Sequence, residues 1–141
     1  MSPRVLGWAL RAAAILGCAP RAEGPPAIRY GESACTQCRM LISEERYAAA
    51  RRPPGEAEVF DSVECLIGRI RQDRVEAPAW VHDYDSAAWM DARLAHYVRS
   101  AQLQTPMGGG LVALADGSAA AELAQRVEGR VARFAELTAV P

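Results

Sequence analysis

The sequence contains no lysine, because all 16 of its basic residues are arginine. A lysine nucleophile or a Schiff base is therefore excluded from its chemistry. The 17 acidic residues nearly balance the arginines, and the formal net charge is -1. Proteins that bind nucleic acids or acidic membranes through charge usually carry a strong positive field. The near-neutral charge of this chain does not indicate either partner.

Cysteines are few, and their number does not indicate a disulfide framework. The four are Cys18, Cys35, Cys38 and Cys65. If Cys18 belongs to a targeting segment, three remain in the body, and an odd number cannot form a closed set of disulfides. Two options remain for the three cysteines of the body. They can bind a metal as thiolates, or they can form one disulfide and leave one thiol free. The 141 residues, 50% of them hydrophobic, are enough for one globular domain.

The N-terminal apolar run is shorter than the about 20 residues that a membrane-spanning helix needs. Residues 1–24 instead have the order of a secretory signal peptide, with Arg4 followed by an apolar stretch and small residues. The sequence ILGC at residues 15–18 resembles the lipobox of bacterial lipoproteins. We therefore expect a signal peptide over residues 1–17, lipidation of Cys18, a flexible tether over residues 18–27 and one domain over residues 28–141. An N-terminal helix with a stray cysteine is the alternative.

The body predicts two units with the same order of elements, strand, strand, helix and strand. In each helix the apolar residues are spaced three and four apart, and a polar residue stands where the helix begins. Asp61 or Ser62 can cap the first helix, and Ser118 can cap the second. The fold class is therefore α+β, with two ββαβ units and helices laid on sheets. The predicted strands cover residues 27–31, 46–52, 58–60, 79–84, 94–98, 110–115 and 130–137.

Two sulfur-containing motifs stand far apart in the chain. Cys35, Cys38 and Met40 lie within six residues, and Met107 lies between a proline and three glycines. Thiolate and thioether sulfurs are soft ligands that favour Cu(I), with Zn²⁺ as the usual competitor for thiols. We predict that the fold brings Met107 to the cysteine turn and that the four residues bind copper. The methionines could instead be an ordinary core residue and a loop residue.

Further side chains are weaker candidates for a metal site. Cys65 falls on the first predicted helix among apolar residues, so we expect it mainly to pack in the core. His82 is a possible additional ligand, with Asp83 beside it as a supporting group, and His96 is a poorer one. No arrangement of acids, histidine and serine indicates acid–base or nucleophilic catalysis.

Six short blocks of the sequence together match a family pattern: residues 35–42, 60–66, 81–84, 89–92, 95–98 and 105–110. They resemble the NosL family of copper-chaperone lipoproteins, which serve nitrous oxide reductase. The resemblance implies a periplasmic protein, lipid-anchored to a bacterial membrane, that binds Cu(I) and is not an enzyme. It also implies a fold like that of organomercurial lyase, and delivery of copper to an apo-cuproenzyme, most often nitrous oxide reductase in denitrification, alongside other copper-delivery proteins. By position it assigns the metal to Cys35, Cys38, Met40 and Met107.

One residue departs from the family pattern. The family usually has glycine between the second cysteine and the methionine, and here Arg39 stands there. We expect its charge to lower the pKa of the neighbouring thiol and its bulk to hinder a partner. The main alternative function is a periplasmic dithiol–disulfide oxidoreductase that uses Cys35 and Cys38. An organomercurial lyase and a structural zinc module are further alternatives, and the oligomeric state stays open.

Overall fold

The computed structural model describes residues 24–140 of the chain. The expected signal peptide, the lipidated Cys18 and the first part of the tether lie outside these residues. None of the helices within residues 24–140 has the length and apolar character needed to cross a bilayer. The elements are β1 (Ala49–Arg51), β2 (Glu58–Phe60), α1 (Val63–Asp73), β3 (Ala79–His82), β4 (Trp89–Asp91), β5 (His96–Arg99), β6 (Leu111–Leu114), α2 (Gly117–Arg126), β7 (Arg130–Arg133) and α3 (Phe134–Thr138).

The first sheet has four antiparallel strands in the order β2-β1-β3-β4. Ala49 pairs with Phe60 on one side and with Val81 on the other, so these three side chains share one face. Helix α1 covers that face with Leu66 and Ile67, and all five residues belong to one buried cluster. The predicted apolar face of α1 is therefore the face that closes the main core.

The second sheet has three antiparallel strands in the order β6-β5-β7. Helix α2 packs on one face of this sheet through Leu123 and Ala124, in a second buried cluster with Val98 and Val112. The other face joins the main core through Tyr97 and Leu111. The two ββαβ units and the α+β class predicted from the sequence are confirmed.

Four local predictions are wrong. The predicted strand over residues 46–52 begins only at Ala49, because Glu45–Tyr47 form a short 3-10 helix. Residues 27–31 form no strand, and they lead instead into a turn. The predicted strand over residues 130–137 ends at Arg133, because the Glu136 side chain accepts the Arg133 backbone N–H and starts α3. Asp116 rather than Ser118 caps α2, by accepting the N–H of Ala119 at 2.8 Å. Strand β4 was not predicted at all.

A buried ion-pair network joins the first sheet to the end of α1. Arg51 on β1 stands opposite Glu58 on β2, is only 1% exposed, and forms ion pairs with Glu58 and with Asp73 of α1. Arg69 of α1 lies 2.9 Å from Glu58 and 3.6 Å from Asp73. The two arginines and two carboxylates therefore neutralise one another, with Arg51 and Glu58 buried and Arg69 and Asp73 partly exposed.

Acid is expected to weaken this network through Asp73. The hydrogen bond from Arg51 holds the pKa of Asp73 at about 2. Because the pKa of Asp73 is lower in the folded protein than in the unfolded chain, its ion pair stabilises the fold fully above the unfolded-state pKa of about 4. This stabilisation is lost as the pH falls through the folded-state pKa. The free energy of unfolding of the wild-type protein should fall as the pH is lowered from 5 to 2. In Asp73→Asn this fall should be smaller by about 1–2 kcal/mol, as measured by urea unfolding.

The matched control for this prediction is Glu56→Gln. Glu56 is an exposed carboxylate with no ion-pair partner among residues 24–140. Its variant should keep the acid dependence of the wild-type protein. Equal acid dependence in Asp73→Asn and in the wild type would show that the network does not contribute in this way.

Candidate metal centre

The cysteine motif is a tight turn held against β2. The N–H of Cys35 donates to the carbonyl of Met40 at 2.8 Å, and the N–H of Arg39 donates back to the carbonyl of Cys35 at 3.0 Å. Thr36 fixes the turn to β2, because its N–H donates to the Val59 carbonyl and its Oγ1 accepts the Val59 N–H. Backbone pairing thus sets the positions of both thiols of the motif.

The start of α1 lies directly beside this turn. Ser62 is the N-cap, and its Oγ accepts the N–H of Cys65 at 3.2 Å. Because Ser62 supplies the cap, the preceding Asp61 is left to face the cysteine turn, where its Oδ1 accepts a hydrogen bond from the Cys38 thiol at 3.5 Å. The link between β2 and α1 therefore adds a carboxylate and a third thiol to the two in the turn.

Three thiols and one carboxylate converge at this point. One donor atom from each of Cys35, Cys38, Asp61 and Cys65 lies within 4.8 Å of the other three. Cys35 and Cys65 are buried, Cys38 is half-buried, and no disulfide links these three cysteines. The second oxygen of Asp61 is buried without a hydrogen-bond partner. A buried carboxylate oxygen without a donor is costly, and a cation bound at the thiols would satisfy it.

The thiols of the cluster differ in acidity. Hydrogen bonds from the Cys65 thiol and from backbone N–H groups, including that of Cys38, lower the pKa of Cys35 to about 6. The pKa of Cys65 is raised, because its proton is held in the bond to Cys35 and because it is buried. Burial also raises the pKa of Cys38. Of the three thiols, Cys35 is therefore the one whose thiolate form the fold stabilises.

The expected effect of Arg39 on its neighbour is wrong, since the pKa of Cys38 is raised rather than lowered. The backbone gives a different reason for the family's glycine at this position. Arg39 has a φ of 69°, in the left-handed region that costs an ordinary residue about 1–2 kcal/mol. The turn that presents the two cysteines therefore favours glycine between Cys38 and Met40.

Replacement of Arg39 by glycine is expected to stabilise the protein by about 0.5–1 kcal/mol. Glycine adopts the left-handed conformation without the steric strain that arginine has there, which stabilises the folded state. Part of this gain is offset because glycine loses more conformational entropy on folding. Thermal or urea unfolding measures it. Arg93→Gly is the control, because Arg93 is an exposed turn residue whose φ is not in that region, and it should lose stability. A loss of similar size in both variants would contradict the prediction.

The two methionines of the predicted site are at the surface. Met40 follows the cysteine turn and is 51% exposed, and Met107 is 44% exposed. The loop that carries Met107 is tied to the start of α1, because the Thr105 hydroxyl donates to Glu64 Oε1 at 2.6 Å. Both sulfur-containing loops therefore contact the first turn of the same helix, and their thioethers are open to solvent.

The glycines after Met107 let this loop approach the protein closely. A Cβ on Gly110 would lie 1.8 Å from the carbonyl oxygen of Ser100, and one on Gly109 would lie 2.9 Å from Cγ of Glu64. Gly108 and Gly110 also have positive φ angles of 68° and 62°. Glycine is needed here by both close contact and backbone conformation.

Neither histidine joins the four donors. His82 is fully buried, its Nδ1 contacts the Ala48 carbonyl at 2.9 Å, and its ring packs on Trp89. Burial lowers the pKa of His82, so the ring is neutral. His96 contacts Arg133 at 2.9 Å on the second sheet. Asp83 does not support either histidine, because its carboxylate accepts from Ser86 and from the Ala115 N–H.

Sequence reasoning gave too little weight to two of the four donors. Cys65 was expected mainly as a core residue, and it does belong to the core cluster, but its sulfur also faces the other thiols. Asp61 was considered only as a helix cap. The available signal was that Asp61 and Ser62 are adjacent candidate caps. Because a helix needs one N-cap, the other side chain was free for another role.

The donor set can bind a soft or borderline cation. Thiolates favour Cu(I) and Zn²⁺, and a carboxylate is an accepted fourth ligand for zinc. Metal binding would require the protonated thiols Cys38 and Cys65 to lose their protons if they are to serve as ligands. The partial exposure of Cys38 provides a route for the ion between solvent and the buried Cys35 and Cys65.

Comparison with known proteins identifies the family. Curated protein sequences give no match. The fold is similar to the crystal structure of the copper chaperone NosL from Shewanella denitrificans, with a TM-score of 0.72 and 22% sequence identity over 82% of this chain and 96% of that chain. At this identity the likeness shows the fold. The NosL family model matches residues 27–140. Because this match covers most of the sequence, the chain belongs to the NosL family.

Proposed function

We propose that this protein is a metallochaperone that binds one Cu(I) ion and delivers it to an apo-cuproenzyme. The observation that carries the proposal is the convergence of Cys35, Cys38, Cys65 and Asp61 within 4.8 Å, with one oxygen of Asp61 buried and unpartnered. Cysteine thiolates are the inner donors in this proposal. Met40 and Met107, which were predicted from the sequence to join the same copper site, are proposed here as additional donors at the surface.

The chemistry of the donors supports copper over zinc. Zinc in closed structural sites is bound by four nitrogen or sulfur ligands, most often from paired cysteine motifs. Here one C-x-x-C motif is joined by a single further cysteine and is flanked by exposed thioethers, which zinc seldom uses and Cu(I) favours. The similar structure from Shewanella denitrificans is itself named as that of a copper chaperone.

The graded exposure of the sulfurs supports a carrier rather than a resident metal site. Cys35 and Cys65 are buried, Cys38 is half-buried, and Met40 and Met107 are exposed. In this proposal an ion passes from the buried thiols to a partner through Cys38, and the exposed thioethers are available to the partner as further soft donors. A carrier of this kind catalyses no reaction, and it is selective for the protein that receives its copper.

The dithiol oxidoreductase is less well supported. Such an enzyme needs an accessible nucleophile of low pKa, because the thiolate attacks the disulfide of a partner. In this protein the thiol of lowered pKa is Cys35, which has no exposed surface, and the more accessible Cys38 has a raised pKa. The motif also lies in a turn rather than at the start of a helix.

The cellular setting follows from the family resemblance and the N-terminal sequence. We infer cleavage after residue 17, lipidation of Cys18 and a periplasmic, membrane-anchored protein. Nitrous oxide reductase is the proposed client, with another cuproenzyme as the alternative. An assay of copper transfer to apo-nitrous oxide reductase, compared with transfer from Cu(I) bound to a small thiol, tests the client separately from the metal. Equal rates from both sources would remove this client.

An anaerobic Cu(I) titration of the reduced protein against a competing chelator tests the metal. We expect one tightly bound Cu(I) per chain, retained in the presence of an equal concentration of Zn²⁺. Cys38→Ala should weaken this binding strongly and Met107→Ala to a smaller degree. Weakening by Cys38→Ala alone would make Met107 a structural residue. No tight binding, or displacement of Cu(I) by zinc, would contradict the proposal.

A further inference from the structure

Two arginines face each other across the second sheet without an acidic partner. Arg99 ends β5 and Arg130 begins β7, and the two are register partners in the antiparallel pair. Register partners place their side chains on the same face, about 5 Å apart at Cβ, and like charges in this position are destabilising. Neither side chain has an ion pair or a side-chain hydrogen bond among residues 24–140.

A third arginine reaches the same place from another element. Arg71, in the last turn of α1, lines with Arg99 and Arg130 a surface cavity of about 270 Å³. Ala132 and Leu137 form an apolar wall, and Glu136 is the one acid that lines it. One carboxylate oxygen of Glu136 accepts the backbone N–H of Arg133 as the cap of α3, so this acid is already engaged.

The arginines of this cavity differ from the ion-paired arginines elsewhere in the described residues. Arg51 and Arg69 are paired with Glu58 and Asp73, and their charges are neutralised within the fold. The three cavity arginines come from α1, β5 and β7, so the tertiary fold brings them together. Three arginines and one glutamate line the cavity, so it carries a local excess of positive charge that favours an anion, in a protein whose net charge is -1.

We propose that this cavity binds an oxyanion of the phosphate class, either free phosphate or the headgroup of an anionic phospholipid. Guanidinium groups present several N–H donors in a planar fork that matches phosphate oxygens, and such charge-assisted hydrogen bonds are stronger than neutral ones. The bound anion would also offset the repulsion between Arg99 and Arg130. The site uses none of the sulfur donors and is independent of copper binding.

The first test is a nuclear magnetic resonance titration of the full chain with sodium phosphate at constant ionic strength. We expect saturable shifts at the Nε–H signals of Arg71, Arg99 and Arg130. The triple variant R71Q/R99Q/R130Q should bind phosphate at least about tenfold more weakly, because it loses the charged donors. It should also melt at a higher temperature than the wild type in chloride buffer, where the repulsion is not offset.

The matched control is R74Q/R93Q/R126Q, which removes three exposed arginines that lie outside this cavity. It should keep the phosphate shifts. Co-sedimentation with phosphatidylglycerol and phosphatidylcholine vesicles distinguishes the sources. If the protein prefers phosphatidylglycerol vesicles and only the cavity variant loses this preference, the ligand is the lipid headgroup. If the protein binds phosphate but shows no such preference, the ligand is the free anion. Shifts reproduced by chloride, with equal vesicle binding by both triple variants, would overturn the proposal.

Discussion

Replacing Cys65 by serine is expected to weaken Cu(I) binding by at least about 100-fold. Even groups that only support a metal ligand contribute about 10–100-fold to affinity, so the loss of a direct sulfur donor should exceed that range. The sulfur of Cys65 lies within 4.8 Å of those of Cys35 and Cys38. Serine keeps the approximate size of the side chain and replaces a soft donor with a hard one, so the competition titration should report the metal chemistry.

The control for this variant is Val63→Ala. Val63 is buried in the same helix and the same core cluster and bears no donor atom. Its truncation should lower the stability by about 1–3 kcal/mol without changing the affinity for Cu(I). If Cys65→Ser bound Cu(I) as tightly as the wild type, Cys65 would be a core residue only, as its apolar neighbours in the sequence first indicated.

Replacing Arg51 by methionine is expected to lower the free energy of unfolding by about 3–5 kcal/mol. Removal of one partner from a buried ion pair leaves the other charge without compensation in a poorly solvated place. Here Glu58, which is 8% exposed, and Asp73 are left behind, and within residues 24–140 Arg69 is the one arginine that still pairs with them. Urea unfolding at neutral pH measures the loss.

Two further variants separate charge pairing from the loss of the arginine side chain itself. Arg52→Met alters the next residue, whose Nε donates to the Gly24 carbonyl at 2.7 Å and which has no ion pair among residues 24–140. It should cost less than about 1 kcal/mol. Adding Glu58→Leu to Arg51→Met should recover part of the loss, because the stranded charge is removed. No recovery would indicate that packing, and not charge, makes Arg51 necessary.

Much of the fold could be predicted from the sequence, because its signals are local. The spacing of Val63, Leu66 and Ile67 predicted the buried face of α1, and the predicted strand segments contain all or most of every strand except β4. Strand β4 and helix α3 were missed for different reasons. β4 is a three-residue edge strand defined by its pairing with β3, and α3 begins where the Glu136 carboxylate caps the chain.

The candidate site could be predicted only in part. The spacing of Cys35 and Cys38 brings two thiols together by local geometry alone. Cys65 and Asp61 join them because α1 starts beside the cysteine turn, and that depends on the pairing of Thr36 with Val59 on β2. Such long-range packing leaves no periodic signal in one sequence. The effect of Arg39 on the pKa of Cys38 was misjudged because the burial that raises this pKa depends on the packing around the turn.

X-ray absorption at the copper edge is the most direct test of the sulfur-bound copper site. The sample is the reduced full chain loaded with one equivalent of Cu(I), measured beside Cys65→Ser. A copper shell dominated by sulfur, which loses one sulfur scatterer in the variant, is the predicted result. A shell of nitrogen and oxygen, or a sulfur shell unchanged in Cys65→Ser, would contradict the assignment of copper to the cluster of Cys35, Cys38, Cys65 and Asp61.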